Sequence, residues 1–281
     1  MIRSIIIFLI NLETDTDRLL RMGREFKRIG LAYERISAIH GKQMPEYLKP
    51  YFFDREGSVV GNLKQGEVGC YASHLHIHHE ILRRRLDWAL VLEDDLYISD
   101  ELPVIIDHIL KLPRDWDIIR LSNEAKKSFV KVGKLTDTHT LVKYSRIPNN
   151  TGAYLISAEG AAKFIQLNEP RRFPLDVDLR RGWQFGLRTF GVLPAPVHSN
   201  IGESRIDRIE HRELGRQNYW YKSFSRICSG RTEFGFAAIR RIKYSISFLG
   251  WKSWLFCTAS DLRAGILKRL QSKKGLTNRI R

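Results

Sequence analysis

The chain has few cysteines, no long apolar run and almost no acid near its end, and each shortage excludes something. Its three cysteines, Cys70, Cys228 and Cys257, are odd in number and far apart. They make neither a disulfide framework nor a Cys-based zinc site, and they suit a reducing compartment. The apolar run near the N-terminus, Ile5 to Ile10, is six residues long and polar residues follow at once. That is too short for a signal-peptide core or a membrane span, so a cytoplasmic protein is expected. The 63 residues from Tyr219 to Arg281 hold 14 of the 47 Lys+Arg but only two of the 31 Asp+Glu, Glu233 and Asp261. Of the net charge of +16, +12 therefore sits in this tail and +4 in the 218 residues before it. A protein that coats nucleic acid along its whole length is disfavoured, and no nucleic-acid partner is expected.

What is present is ordinary globular material, 43% hydrophobic and 28% charged. Ile5 to Ile10 reads as a buried parallel strand. Leu19, Met22, Phe26 and Ile29 then recur at helical spacing, Gly30 closes that helix, and a second strand runs over 32–39. This β-α-β opening favours a parallel sheet with helices packed on it. Further helices are predicted over 67–86, 100–112 and 158–167, and strands over 88–92, 116–121, 153–157 and 192–197. One α/β domain covers 1–215. Beyond it, 216–281 interleaves aromatic and basic residues, as in Arg240-Arg241-Ile242-Lys243-Tyr244 and Trp251-Lys252. Such a tail either lies on an anionic membrane surface or is a solvated basic face closing the domain.

Glu93-Asp94-Asp95 directly follows an apolar strand. Three adjacent carboxylates repel one another unless something neutralises them, and oxygen ligands suit Mg2+ or Mn2+. The other reading is a solvated loop whose acids cap the next helix. His74 and His78 share a helical face, but Arg83 stands where a zinc metalloprotease needs its second histidine. A buried or capping His74 is the better account, and Cys70 reads as a small buried thiol. Gly66-Glu67-Val68-Gly69-Cys70 is a glycine-bearing turn that opens a helix and can face an anion. Pro174-Leu175-Asp176-Val177-Asp178 places two acids on one side of an extended segment, where one can serve as a general base or both can decorate a surface strand.

These segments together resemble glycosyltransferase family 25, the lipooligosaccharide galactosyltransferase group. Ile10-Asn11-Leu12 with Asp17-Arg18 is similar to its opening, and Ile36-x-Ala38-x-x-Gly41 to its second strand. Gly66 to His74 resembles its "GEIGCxxSH" block, Leu90 to Asp95 its "LILEDD" block, Gly152 to Ala161 its "GxAYLIS…GA" block, and Pro174-x-Asp176 its "PxD". The resemblance covers roughly residues 4 to 205.

It implies a GT-A type fold, a Rossmann-like α/β/α sandwich, with 216–281 as a basic helical tail for membrane-surface or acceptor docking. It also implies inverting, metal-dependent transfer of a hexose, galactose first, from a UDP-sugar donor to a glycolipid, the lipooligosaccharide core. The enzyme would then work at the inner face of the cytoplasmic membrane. Asn11, Arg18, Gly66, Glu67, Glu93 and Asp94 stand at the nucleotide-sugar positions. Asp95 is the expected direct ligand of Mn2+ or Mg2+, with Glu93 on ribose or metal and His198 completing the shell. Asp176 is the expected general base, with Asp178 as substitute. The competing expectation is a non-catalytic, transferase-like protein that docks on anionic lipid through its tail.

Overall fold

The computed structural model describes residues 5–41, 43–122, 127–166, 169–199 and 231–277, with side chains of the last segment described for 238–266. The expected boundary near residue 215 lies outside them. An eight-stranded sheet runs in the order β2-β1-β3-β8-β5-β9-β7-β6. Its strands are β1 (Ile6–Asn11), β2 (Glu34–Ser37), β3 (Trp88–Glu93), β5 (Ile118–Arg120), β6 (Phe129–Lys134), β7 (Thr140–Tyr144), β8 (Ala153–Ser157) and β9 (Thr189–Leu193). A small ribbon pairs β4 (Leu96–Ile98) with β10 (Val197–Ser199).

The β-α-β opening forms as expected. Strands β2, β1 and β3 are parallel, and helix α1 (Thr16–Arg28) ends at Gly30, whose φ of +68° costs glycine nothing. Beyond these three strands the sheet is mixed. β8 runs antiparallel between β3 and β5, and β7 is antiparallel to both β9 and β6. The expected 192–197 strand is interrupted as well, because Pro194 and Pro196 lack the N–H that a sheet ladder needs.

Two apolar layers enclose the sheet, as an α/β/α sandwich requires. On one face Ile7, Leu9, Leu90 and Leu92 meet Met22 and Phe26 of α1 and Ile105 and Ile109 of α3 (Leu102–Leu110). On the other, Phe8, Ile10, Val91 and Tyr154 meet Tyr71 and Leu75 of α2 (Gln65–Arg83) and Phe164 of α4 (Ala158–Ile165). Strand alternation sends neighbouring residues to opposite layers. At the carboxyl end of β3 the same alternation separates Glu93 from Asp94.

The described part of the tail, residues 231–277, forms α6 (Arg231–Leu249) and α7 (Trp251–Thr277). They pack on the domain: Lys143 Nζ donates to Phe248 O, and Asp261 accepts from Ser128 N, Ser128 Oγ and Ser145 Oγ. Among the described residues, no helix is long and apolar enough to cross a membrane.

Candidate active site

The Glu93-Asp94-Asp95 triplet leaves β3 at the carboxyl end of the parallel strands, where open α/β sheets bind ligands. The three acids face different surroundings. Asp94 turns toward α1: its carboxylate accepts from Asn11 Nδ2 at 2.7 Å and Arg18 Nη1 at 2.9 Å. Arg21 clamps the backbone beneath it, donating to Asp94 O and Leu96 O. Asn11, 1% exposed, also donates to Asp15 O and accepts from Arg35 Nε. Asn11, Arg18 and Asp94 thus form an internal strut that fixes the turn carrying the other two acids.

Asp95 is half-buried, with Arg18 Nη1 at 3.9 Å. Burial first, and then the charge of Glu93, push its carboxyl up to about 6. Glu93 accepts from the Thr151 hydroxyl at 2.6 Å and has His74 Nε2 at 3.5 Å. Burial pushes the Glu93 carboxyl up, but His74, Thr151 and the charge of Arg120 together hold it below the usual range. Thr151 follows Asn150, whose φ of +84° is a left-handed conformation that asparagine tolerates better than most residues. The Asn150 side chain stabilises that bend, donating to Ser199 Oγ and accepting from Gly152 N.

Gly66 is exposed in the first turn of α2. Glu67 is buried and accepts from Lys64 N at 2.9 Å, a capping contact for α2. His198 sits on β10 with its side chain exposed, in register with Tyr97. Among the described residues it joins no group able to hold a metal ion; the one such group is Cys70, His74 and Glu93.

The Asp176–Asp178 segment is not extended. It lies in a short helix, α5 (Leu175–Arg180), begun by Pro174. Two positions along a helix turn the side chain by about 200°, so the two acids face apart. Asp178 is 4% exposed and accepts from the buried Tyr71 hydroxyl at 2.9 Å; burial pushes its carboxyl up to about 6. Asp176 is less deeply buried, and burial raises its carboxyl too, with Arg180 and Arg120 acting in opposition. Of the two, Asp176 is the more exposed.

Two features were missed in the sequence. Arg120, 1% exposed in β5, has no hydrogen-bond partner for any of its three guanidinium nitrogens among the described residues. Burial lowers its pKa, against the charges of Tyr144, Tyr154, Asp176 and Glu93 around it. A lone arginine inside the apolar run Ile118-Ile119-Arg120-Leu121 is the signal that could have found it. The second is the meeting of Cys70 with His74 and Glu93.

A family model described as glycosyltransferase family 25 (LPS biosynthesis protein) matches residues 4–179. Procollagen galactosyltransferase 1-A of Xenopus laevis is 31% identical over 189 residues, covering 61% of this chain and 30% of that protein. A putative glycosyltransferase of Haemophilus influenzae is 22% identical over 170 residues, covering 60% of this chain and 59% of that one. A crystal structure of a glycosyltransferase involved in glycosylation of the major capsid of PBCV-1 aligns with a TM-score of 0.42 at 14% identity, covering 74% of this chain and 98% of that one. The chain spans under a third of the length of the procollagen galactosyltransferases it matches.

Proposed function

The chain belongs to glycosyltransferase family 25, and from that premise we propose that it moves a hexose, galactose first, from a UDP-sugar to the core of a lipooligosaccharide or lipopolysaccharide, with inversion at the anomeric carbon. What supports this reading is that Glu93 and Asp95 share the turn that leaves β3 and that the charge of Glu93 is felt at both Asp95 and Asp176. Asp176 accepts the proton of the acceptor hydroxyl, and its raised pKa makes it a better base than an exposed carboxylate. The freed oxygen attacks the anomeric carbon from the face opposite the diphosphate. The bond from that carbon to the diphosphate oxygen breaks, and its electron pair leaves on UDP.

Asp95 with Glu93 fits a hard divalent cation, Mn2+ or Mg2+, because Asp95 sits in a field that disfavours its charge and a cation relieves it. Such a cation supplies positive charge to the leaving diphosphate. His198 stands apart from this pair and is not part of the proposed ligand set.

The tail supports a place at the inner face of the cytoplasmic membrane. On α7, Trp251, Leu255, Leu262 and Ile266 are 60%, 51%, 63% and 58% exposed. Their spacing puts them on one helical face, beside Lys252 and Arg263. An apolar stripe flanked by cations, in a segment of net charge +12, suits an anionic lipid surface and an acceptor embedded in it.

The test is a panel of UDP-sugars assayed for Mn2+-dependent UDP release, with and without a truncated lipooligosaccharide acceptor. Acceptor-dependent release from one donor, lost in Asp176→Asn, is expected. Equal release from every donor without acceptor would refute the reading.

A further inference from the structure

Cys70 and His74 stand one turn apart on α2, and Glu93 ends β3 beside them. The Cys70 sulfur, a His74 ring nitrogen and a Glu93 carboxylate oxygen all lie within 4.8 Å of one another. His74 is fully buried, and among the described residues its Nε2 has no hydrogen-bond partner. That nitrogen faces Glu93 Oε1 at 3.5 Å. The gap exceeds the range of about 2.7–3.2 Å for an N–H···O hydrogen bond. It is close to the edge of about 3.4 Å that separates a nitrogen from an oxygen on tetrahedral zinc, given metal–ligand bonds of about 2.0–2.2 Å.

The surroundings of His74 suit a ligand. Tyr154 Oη lies 2.8 Å from His74 Nδ1 and 3.0 Å from His78 Nε2, and its one proton can serve only one of them. Burial keeps His78 neutral and able to accept that proton. When Tyr154 donates to His78, it accepts from His74 Nδ1–H, which leaves the His74 Nε2 lone pair for a cation shared with Glu93 Oε1, whereas without a cation that nitrogen helps to hold Glu93 ionised. Orienting a ligating histidine through its other ring nitrogen is how protein metal sites fix the tautomer. Cys70 supplies a sulfur ligand one turn before His74 on the same helix, within reach of the same point as the His74 nitrogen and the Glu93 oxygen.

We propose that Cys70, His74 and Glu93 form a three-ligand site for a thiophilic divalent cation, Zn2+ foremost, with its fourth position open. Thiolate and imidazole select against Mg2+. On binding, the Cys70 thiol gives its proton to solvent and the sulfur bonds the metal. The site draws on Glu93 through Oε1, so it shares that carboxylate with the Mn2+ or Mg2+ pair proposed above, and Asp95 stays outside the zinc ligand set. The inference does not depend on the proposed transfer, because zinc binding needs no sugar donor.

The experiment uses the full chain without an affinity tag, stripped of metal and then dialysed against Zn2+ or Co2+. One equivalent of zinc per chain should remain, and the cobalt form should show a thiolate-to-cobalt charge-transfer band. That band should vanish in Cys70→Ser and persist in Cys228→Ser and Cys257→Ser. Substoichiometric zinc, or a band that survives Cys70→Ser, overturns the proposal. If Cys70→Ser fails to fold by circular dichroism, X-ray absorption of the wild-type zinc form decides instead. One sulfur at about 2.3 Å with nitrogen and oxygen neighbours supports the site, whereas an all-nitrogen/oxygen shell or several sulfurs overturns it.

Discussion

Asp176 and Asp178 are two residues apart on α5, yet Asp178 accepts a hydrogen bond from the buried Tyr71 while Asp176 is less buried and feels the charges of Arg180, Arg120 and Glu93. Asp178→Asn should therefore spare transfer, because its oxygen can still accept from Tyr71. Asp176→Asn should lower kcat at least a hundredfold, in line with the loss of a general base, with the urea midpoint nearly unchanged. Steady-state kinetics on both variants separate the two roles.

The same carboxyl sets a pH dependence. The folded-state pKa of Asp178, about 6, lies above its ordinary value of 3.8, so the folded protein holds this proton more tightly than the unfolded chain. Its contribution is complete below pH 4 and is lost as pH rises through 6. Two pKa units correspond to at most about 3 kcal/mol. Asp95 titrates in the same window. Urea unfolding at a series of pH values should show stability falling between pH 4 and 6, and a shallower fall in Asp178→Asn.

Arg120 carries a buried charge without a hydrogen-bond partner among the described residues. Replacing such a charge by an apolar side chain of similar length often leaves stability unchanged or raises it. Arg120→Met should fold at least as stably as the wild type by thermal melting. Its transfer rate should fall more than tenfold, because the positive charge acting on Glu93 and Asp176 is gone.

A methyl group at Gly69 would meet Ile39 O at 2.5 Å, where the start of α2 crosses the chain leaving β2. Backbone on both sides leaves little room to yield. Gly69→Ala should cost about 1–3 kcal/mol in urea unfolding and should displace the neighbouring Cys70.

Docking on lipid should depend on both parts of the tail surface. Trp251→Glu with Leu255→Glu should abolish cosedimentation with anionic vesicles while leaving the circular dichroism spectrum unchanged. Wild-type binding should weaken steeply with added salt and fail on neutral vesicles.

The sequence was readable where a single period dominated. β1, β3, β8 and α1 came out within a few residues because each buries a continuous run or one face. Pro174 to Asp178 was misread because Leu175, Val177 and Leu179 alternate with acids as a half-buried strand does. A helix of six residues is too short to display its own period. The β6–β7 hairpin was missed because β6 is largely exposed and carries lysines in place of an apolar face. At the site, the sequence pointed to His74 and His78 as the helical pair and read Cys70 as a buried thiol, because Glu93 reaches Cys70 and His74 only through the packing of α2 on β3. Asn11, Arg18 and Asp94, expected with Gly66, Glu67 and Glu93 at nucleotide-sugar positions, are joined to one another by hydrogen bonds that only the packing of α1 beside β3 brings about.

The sheet ends at β6, an edge strand that exposes Phe129 and Val132. Helix α7 packs beside it, and Asp261 ties the two elements together through Ser128 and Ser145. An open, partly apolar strand edge is a template for pairing with other chains. A version shortened to its first 215 residues would lose this neighbour and become prone to self-association. Covering that edge is expected to guard against aggregation, and loss of the tail would first be noticed as poor solubility.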